Sequence, residues 1–424
     1  MNTNLDYQAL TDWMKVNAAP INTLTPSDSV EDLEPIREII GDARVVALGE
    51  NSHFISEFGL LRHRIIRFLI EHCGFTAHAL EFGFSDGFII DDWLQGRLNE
   101  AHLKQLIFHY LITPEILQTL RWIKNYNLQS QTPVQFMGVD IPCAGGSLLP
   151  ALSPIKEYLR TADADTLSLI KEACLIAIKF EGTSMAQAAP LYGSLSEEER
   201  NILTCYLTRI NHRLHALAPE HIERFGQQKF DEMVQHLKSA LYADYNLSAM
   251  SDFIAGTGLY GDMGARDSYM ADSVLWHLQH IAPGSKIILV AHNAHIQKTS
   301  VNWPGSTTLP MGQHLAQQLG KDYVAIGLTS SKGDTAALYP DENATHGFRV
   351  EKTLLDNPIP NSIESVFTNA ELGTSSINLK QIPREYEMPT YTRCDSEYLE
   401  IPIQESFDGL IHIPHSHVIK EINM

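Results

Sequence analysis

Cysteine is scarce and scattered: five residues in 424, Cys73, Cys143, Cys174, Cys205 and Cys394, with no Cys-x-x-Cys pair. An odd, widely spaced set argues against a disulfide framework and a thiolate zinc site, and fits a reducing compartment. Positive charge is also in short supply. Lys and Arg total 31 against 51 Asp and Glu, a formal net charge of −20. The densest basic stretch is Arg62, Arg64 and Arg67. Nucleic acid and anionic membrane are therefore not expected as partners, because both need clustered cations. No run approaches the roughly 18 apolar residues of a spanning helix. Residues 1–20 mix Asp6, Gln8, Asp12 and Lys15 among apolar positions and lack a signal-peptide core, so a cytoplasmic location is expected. Gly (26) and Pro (20) are too few for a low-complexity chain, and 44% hydrophobic residues suit a globular one.

What the chain does contain is a series of short apolar runs, each ending on a polar residue. Residues 43–48 lead to Gly49-Glu50, residues 75–80 to Glu81, residues 134–139 to Asp140, and residues 286–291 to His292. Residues 323–328 and 409–413 are further runs. Such runs suit strands buried on both faces of a parallel sheet. Phe58, Leu61, Ile65 and Phe68 repeat at helical spacing, so residues 55–72 read as an amphipathic helix closed by Gly74. Strand, helix, strand is the βαβ pattern, and the fold class is α/β with a mostly parallel sheet surrounded by helices. Residues 1–40 read as a helical lead-in, and residues 331–362, with Gly333, Pro340, Gly347, Pro358 and Pro360, as loop. Residues 151–283 carry long helical stretches and almost no strand signal. This divides the chain into a first part of an α/β core (1–150), a helical insertion (151–283) and a second part of the core (284–424), with the insertion forming one wall of a cleft.

Polar groups at strand ends are candidates for chemistry, because ligands of open α/β sheets collect at the carboxyl ends of strands. Glu50, Glu81, Asp140 and His292 occupy such places. His53 follows the first run, with Glu57 one turn further on. A histidine base flanked by carboxylates is one reading, and an incidental residue beside an Asn51 or Ser52 helix cap is the plainer one. His292 and His295, at i and i+3, suit a ligand site for a metal, a substrate carbonyl or a phosphate as well as they suit a hydrogen-bonded core pair. Arg266, beside Asp267, suits either an oxyanion partner or a surface ion pair. His412, His415 and His417 read as solvated tail residues. Gly83-Phe84-Ser85-Asp86-Gly87 matches the nucleophile elbow, but only two strand runs precede it and Glu81 sits where a small residue usually supports the turn. Ser85 is therefore not taken as a nucleophile.

Longer strings carry a resemblance. ALGENSHFISEF (47–58), HALEFGFSDG (78–87), GVDIP (138–142), GDMGARDSYMADSVLWHL (261–278), LVAHNAHIQKT (289–299), PMGQHLA (310–316), DTAALYP (334–340) and FDGLIHI (407–413) together resemble the erythromycin esterases, most closely the type II class, in order and over nearly the whole chain. The resemblance implies a hydrolase that opens the macrolactone of 14-membered macrolides and confers macrolide resistance, without metal or cofactor. It implies His53 as the base that activates water, with Glu50, Glu81, Arg62 and His292 as catalytic companions. Glu57, Asp140, Arg266 and His295 are expected to face the substrate. A macrolide and water are the expected partners, and a monomer the expected state. A metal-dependent hydrolase using His53, Glu81, His292 and His295, and a binder without turnover, are the competing readings.

Overall fold

The computed structural model describes residues 7–101, 112–303 and 306–420, with the side chains of residues 303 and 306 left aside. Its strands are β1 (Ala19–Pro20), β2 (Val45–Leu48), β3 (Ala77–Gly83), β4 (Gln135–Asp140), β5 (Ile287–Val290), β6 (Val301–Trp303), β7 (Ser306–Thr308), β8 (Tyr323–Pro340), β9 (Phe348–Leu354), β10 (Ser375–Asn378), β11 (Tyr391–Cys394), β12 (Glu397–Glu400) and β13 (Gly409–Ser416). Eight of them form one sheet in the order β1-β10-β13-β8-β2-β5-β3-β4, and β9 joins through β8. Every pairing from β13 to β4 is parallel. The pairs β1–β10, β10–β13 and β8–β9 are antiparallel.

Alternation of side chains divides the central strands between two cores. Val46, Leu48, Ile288, Val290, Val324 and Ile326 pack on one face against α1 (Ser56–Cys73). Val45, Ala47, Ile287, Leu289, Tyr323 and Ala325 pack on the other, with Met270 and Val274 from a helix near the chain's middle. Covering on both faces is why these strands read as unbroken apolar runs. Helix α1 ends where Gly74 takes φ +75°, a left-handed cap that glycine adopts without strain. A third core holds residues 148–247 of the helical stretch together with Phe84, Ile141 and Tyr269. Its elements include α2 (Phe84–Leu94), α3 (Gln227–Ile254) and α4 (Ala265–His280).

Two expectations from the sequence fail here. Residues 331–362 are not mainly loop: β8 continues to Pro340 and pairs with β9 in an antiparallel arm. Its apolar residues, such as Leu338, Tyr339 and Phe348, lie among Gly333, Pro340 and Gly347, and those turn residues make the segment read as loop. His412 is not a solvated tail residue either. It is buried in β13, stacked on Phe367 at 4.5 Å and bonded to Ser331 Oγ at 2.7 Å.

Candidate active site

The parallel strands deliver their carboxyl ends to one edge of the sheet. β2 pairs with β5 and β5 with β3, so the segments that follow them are neighbours. The Asn293 amide N–H donates to the Glu50 carbonyl at 2.8 Å, and the His292 amide donates to Glu81 Oε2 at 3.0 Å. Asn293 then ties this edge to β8 through Leu328. Gly49 lets the strands approach: a Cβ there would sit 1.9 Å from Asn293 Oδ1.

Glu50, 7% exposed, is clamped on both oxygens. Arg62 Nη2 reaches Oε2 at 2.7 Å, and His53 Nδ1 lies 2.9 Å from Oε1. A carboxylate only accepts, so His53 donates from Nδ1 and keeps Nε2 as its basic nitrogen. Burial pushes the Glu50 carboxyl up, but Arg62 and His53 outweigh it and hold it below its ordinary range. For His53, burial opposes the charge and is overcome by the Glu50 hydrogen bond and by the charges of Glu50, Glu81 and Asp395. The result is an imidazole raised to about 9.

Opposite it lies His292, with ring centroids 5.2 Å apart and planes tilted by 58°. His292 Nδ1 accepts from the Ala294 amide at 3.1 Å, so its hydrogen is carried on Nε2. Burial, then the neighbouring His53, holds the His292 pKa below its ordinary value. When neutral, His53 therefore offers a basic Nε2 and His292 an Nε2–H, on two rings whose centroids are 5.2 Å apart.

A second ionic group lines the same edge. Arg266 binds Asp140 through Nε and Nη2 at 2.9 and 2.6 Å, and Glu81 through Nη2 at 3.0 Å. Neighbouring histidines and Arg266 overcome burial and hold Glu81 well below the carboxylate range. His295 donates from Nδ1 to Asp267 at 2.7 Å, and its Nε2 lies 3.4 Å from Glu81. Burial lowers His295, but Asp267 and Glu81 prevail and raise it. Arg266 and Asp267 are therefore not a surface ion pair: each binds a different partner of the site.

Two neighbouring cavities of ≈ 420 and ≈ 440 Å³ share His53, Glu81, Met185 and Arg266 in their walls. The first adds Glu50, Arg62 and Phe54, and the second adds His292, His295 and Asp395. A larger cleft of ≈ 760 Å³ among the helices is lined by Tyr192, Tyr242, Tyr245 and Asp244 and contains none of the strand-end groups. The histidine cavities are the better candidate because acid, base and donor converge there.

Of the site residues drawn from the sequence, His53, Glu50, Arg62, Glu81, Asp140, Arg266, His292 and His295 come together. Glu57 does not. It points to the chain's far end, where it accepts from the His417 amide at 2.8 Å and pairs with His417 Nδ1 at 2.7 Å. Neither Asn51 nor Ser52 caps α1, whose N-cap is Ile55. Ser85 lies buried against α3, hydrogen-bonded to His236 Nδ1 at 2.8 Å. Its histidine is His236, and His292 lies elsewhere. The sequence reading missed Asp395. It also missed strained backbone at the site: Phe54, Cys143, Ala144 and Asp395 have positive φ and all line these cavities.

One group among the described residues, His292, Cys394 and Asp395, brings three potential ligand atoms within 4.8 Å of one another. The donor set does not suit a cation. Burial pushes the Cys394 thiol far up, and His292 Nδ1 is already occupied by an amide. The four residues of the metal-dependent reading do not make up this group.

Comparison with known proteins adds independent findings. A family model for erythromycin esterase matches residues 70–416. The erythromycin esterase type II of Escherichia coli is 42% identical over 409 residues, covering 96% of this chain and 98% of that protein. The type I enzyme of Escherichia coli is 30% identical over 387 residues, covering 90% and 92%. A mutant of erythromycin esterase EreC, solved in its open conformation, superposes with a TM-score of 0.86 at 28% identity, covering 95% of this chain and 98% of that one.

Proposed function

The chain belongs to the erythromycin esterase family, and from that premise we propose that it hydrolyses the lactone ester of 14-membered macrolides by attack of water activated by His53. The observation that carries the reading is the Glu50–His53 pair, 2.9 Å apart, facing His292 across 5.2 Å in a cavity.

Ester hydrolysis needs a base for water, a donor for the oxyanion and a proton for the leaving alkoxide. Neutral His53 takes a proton from water on Nε2 as the oxygen adds to the carbonyl carbon. Glu50 holds the ring in the required tautomer and stabilises the imidazolium that forms. His292 Nε2–H and the Arg266 guanidinium are the candidate donors to the oxyanion. Collapse breaks the carbon–oxygen bond of the ring, and the proton passes from His53 to the alkoxide. The sum is one water consumed, one carboxylic acid and one hydroxyl formed. Asp140 and Glu81 hold Arg266 in place, and Asp267 does the same for His295.

The reading includes no metal, in keeping with the misfit of the thiol–imidazole–carboxylate group. Among the described residues no helix is long and apolar enough to cross a membrane. We propose further that the protein acts as a monomer in the cytoplasm on a small-molecule substrate.

Incubation of purified protein with erythromycin tests the reading, with a product heavier by one water as the expected outcome. An unchanged mass for erythromycin and related 14-membered macrolides would overturn it. Activity lost on exhaustive chelation and restored by Zn²⁺ or Mn²⁺ would replace it with the metal-dependent alternative.

A further inference from the structure

Opposite the strand ends, the β11–β12 hairpin turns at Cys394-Asp395-Ser396-Glu397. Asp395 takes φ +53°, a left-handed backbone that glycine adopts freely and that asparagine and aspartate accept more readily than other residues. The turn is anchored on both sides. The Asp395 amide donates to the Asn51 carbonyl at 2.7 Å, two residues before His53. Behind it, fully buried Glu364 accepts from the Arg393 amide at 3.0 Å and from Thr392 Oγ1 at 2.9 Å. This scaffold sets the Asp395 carboxylate within 4.8 Å of a His292 ring nitrogen, in the wall of the cavity that also holds His53 and His295.

The other carboxylates at the site have cationic partners. Glu50 is taken by Arg62, Glu81 and Asp140 by Arg266, and Asp267 by His295. Asp395 makes no ion pair with Lys or Arg among the described residues, so its charge falls on the imidazoles. Two adjacent rings disfavour protonation of one another, and a reaction that leaves a proton on one of them gains from a carboxylate facing both.

We propose that Asp395 is a positioning residue of the reaction, which faces the His53–His292 pair from the hairpin tip and stabilises the imidazolium formed there when water gives up its proton. This rests on the reading of His53 as the base. The proton balance is unchanged: water to His53, His53 to the alkoxide, with none taken by Asp395. The charged groups facing His53 are Glu50 and Arg62 on its own side, Glu81 from β3, and His292 and Asp395 across the cavity. Those facing His292 are His53, His295, Glu81 and Asp395. The shifts of both imidazoles carry a contribution from Asp395 in the direction of the charged form.

The test compares wild type with Asp395→Asn and Asp395→Gly, because both replacements accept the left-handed backbone and both remove the charge. Histidine ring protons of His53 and His292 are titrated by NMR, and kcat/KM for erythromycin is followed against pH. The expected result in both variants is lower midpoints for His292 and His53, and an ascending limb of kcat/KM displaced to lower pH, by less than Glu50→Gln displaces it. Activity should then rise at pH 7 and fall on the alkaline plateau. Two folded variants whose histidine titrations and limb do not move would overturn the proposal and leave Asp395 as a turn residue. A wild-type protein inactive on macrolides would sink the functional reading alone, since the NMR titration still reports on Asp395.

Discussion

His53 and His292 face each other across 5.2 Å, with their outer nitrogens fixed in opposite senses: Glu50 Oε1 takes a hydrogen from His53 Nδ1, and the Ala294 amide gives one to His292 Nδ1. One ring is left with a bare Nε2 in its neutral form and the other with an Nε2–H. The two substitutions therefore have different expected signatures. His53→Asn removes the base and should lower kcat by roughly 10²–10⁴. His292→Gln keeps a side-chain N–H donor and should retain more activity than His292→Ala. All three should still melt cooperatively, and His53→Asn should melt lower than wild type near neutral pH because it loses the stabilising charge of the raised imidazole, so activity is compared at a temperature where every variant is folded. Equal losses in the Gln and Ala variants would refute the donor role.

A pH profile follows from the raised His53 pKa. The base must be neutral to act, and the folded protein holds its proton up to about 9. Free-enzyme kcat/KM should therefore climb with pH through about 9, well above the usual histidine range near 6.5. The linked effect on stability has the opposite sign. A group whose folded pKa is raised stabilises the fold fully below its unfolded pKa, and that contribution is lost as pH rises through about 9. Activity and the His53 share of stability should thus trade places between about 6.5 and 9. In Glu50→Gln the climb should begin at lower pH, because the strongest attraction for the His53 proton is gone. An ascending limb near 6.5 in wild type would contradict the assignment.

The strands that carry the site are legible in the sequence because both faces of β2 and β5 are covered, which forces unbroken apolar runs and makes Glu50 and His292 stand out as the first polar residues after them. Glu81 and Asp140 are legible as acids that close apolar runs, although Glu81 lies inside β3 and Asp140 is the last residue of β4. The ambiguous positions are those whose partners lie far along the chain. Glu57 has helical spacing to His53, yet its charge is taken by His417, 360 residues away. Arg266-Asp267 looks like an adjacent pair, but consecutive helical side chains point in different directions. Arg266 therefore turns to Asp140, and Asp267 to His295. Asp395 sits in a hairpin of two four-residue strands, a mostly buried Tyr391–Cys394 with polar Thr392 and Arg393 and a mostly exposed Glu397–Glu400, which give no periodic apolar signal, and buried Glu364 anchors the first of them. No local pattern could have found it.

Breaking the Arg266 group should be costly. Asp140 is fully buried and holds the guanidinium with two oxygens. Asp140→Ala leaves Arg266 with Glu81 alone, and removing one partner of a buried pair typically costs about 3–5 kcal/mol. Since the Arg266 side chain is 19% exposed, the lower end is expected. A denaturant midpoint shift with unchanged m-value would measure it. Asp140→Asn should recover part of the loss, because the amide oxygen still accepts from the guanidinium.

Ser85 offers a contrast between a motif and its surroundings. Its hydroxyl is buried between α2 and α3 and engaged by His236, and it lies in the wall of neither histidine cavity. Ser85→Ala should keep most esterase activity and cost about 1–3 kcal/mol of stability, the range for an orphaned buried partner. Serine-directed organophosphates should leave no stoichiometric adduct. A labelled Ser85 peptide, or a burst of product matching the enzyme concentration, would mean an acyl-enzyme and would overturn direct attack by water.

Substrate choice should lie with the helical wall of the cavity. A large macrolactone is held by wide apolar contact with few polar anchors. The tyrosines of the helical stretch do not form that surface: Tyr192, Tyr242 and Tyr245 line the separate ≈ 760 Å³ cleft, and Tyr206 lines neither histidine cavity. The apolar helical residues that border the histidines are Met185, Met250, Phe253 and Met263. Phe253 is 51% exposed, an aromatic surface open to a ligand, and methionines adapt to irregular apolar shapes. Phe253→Ala should weaken ground-state and transition-state contacts alike, so KM should rise with kcat little changed. A lost apolar contact of about 1.4 kcal/mol corresponds to about tenfold. Met250→Ala should shift the ranking among macrolides of different ring substitution, since it reshapes the wall without touching His53. Tyr245→Ala serves as the control and should leave both constants alone. If Tyr245→Ala raises KM while Phe253→Ala does not, the macrolide binds in the ≈ 760 Å³ cleft, and the division of labour between sheet edge and helical wall is wrong.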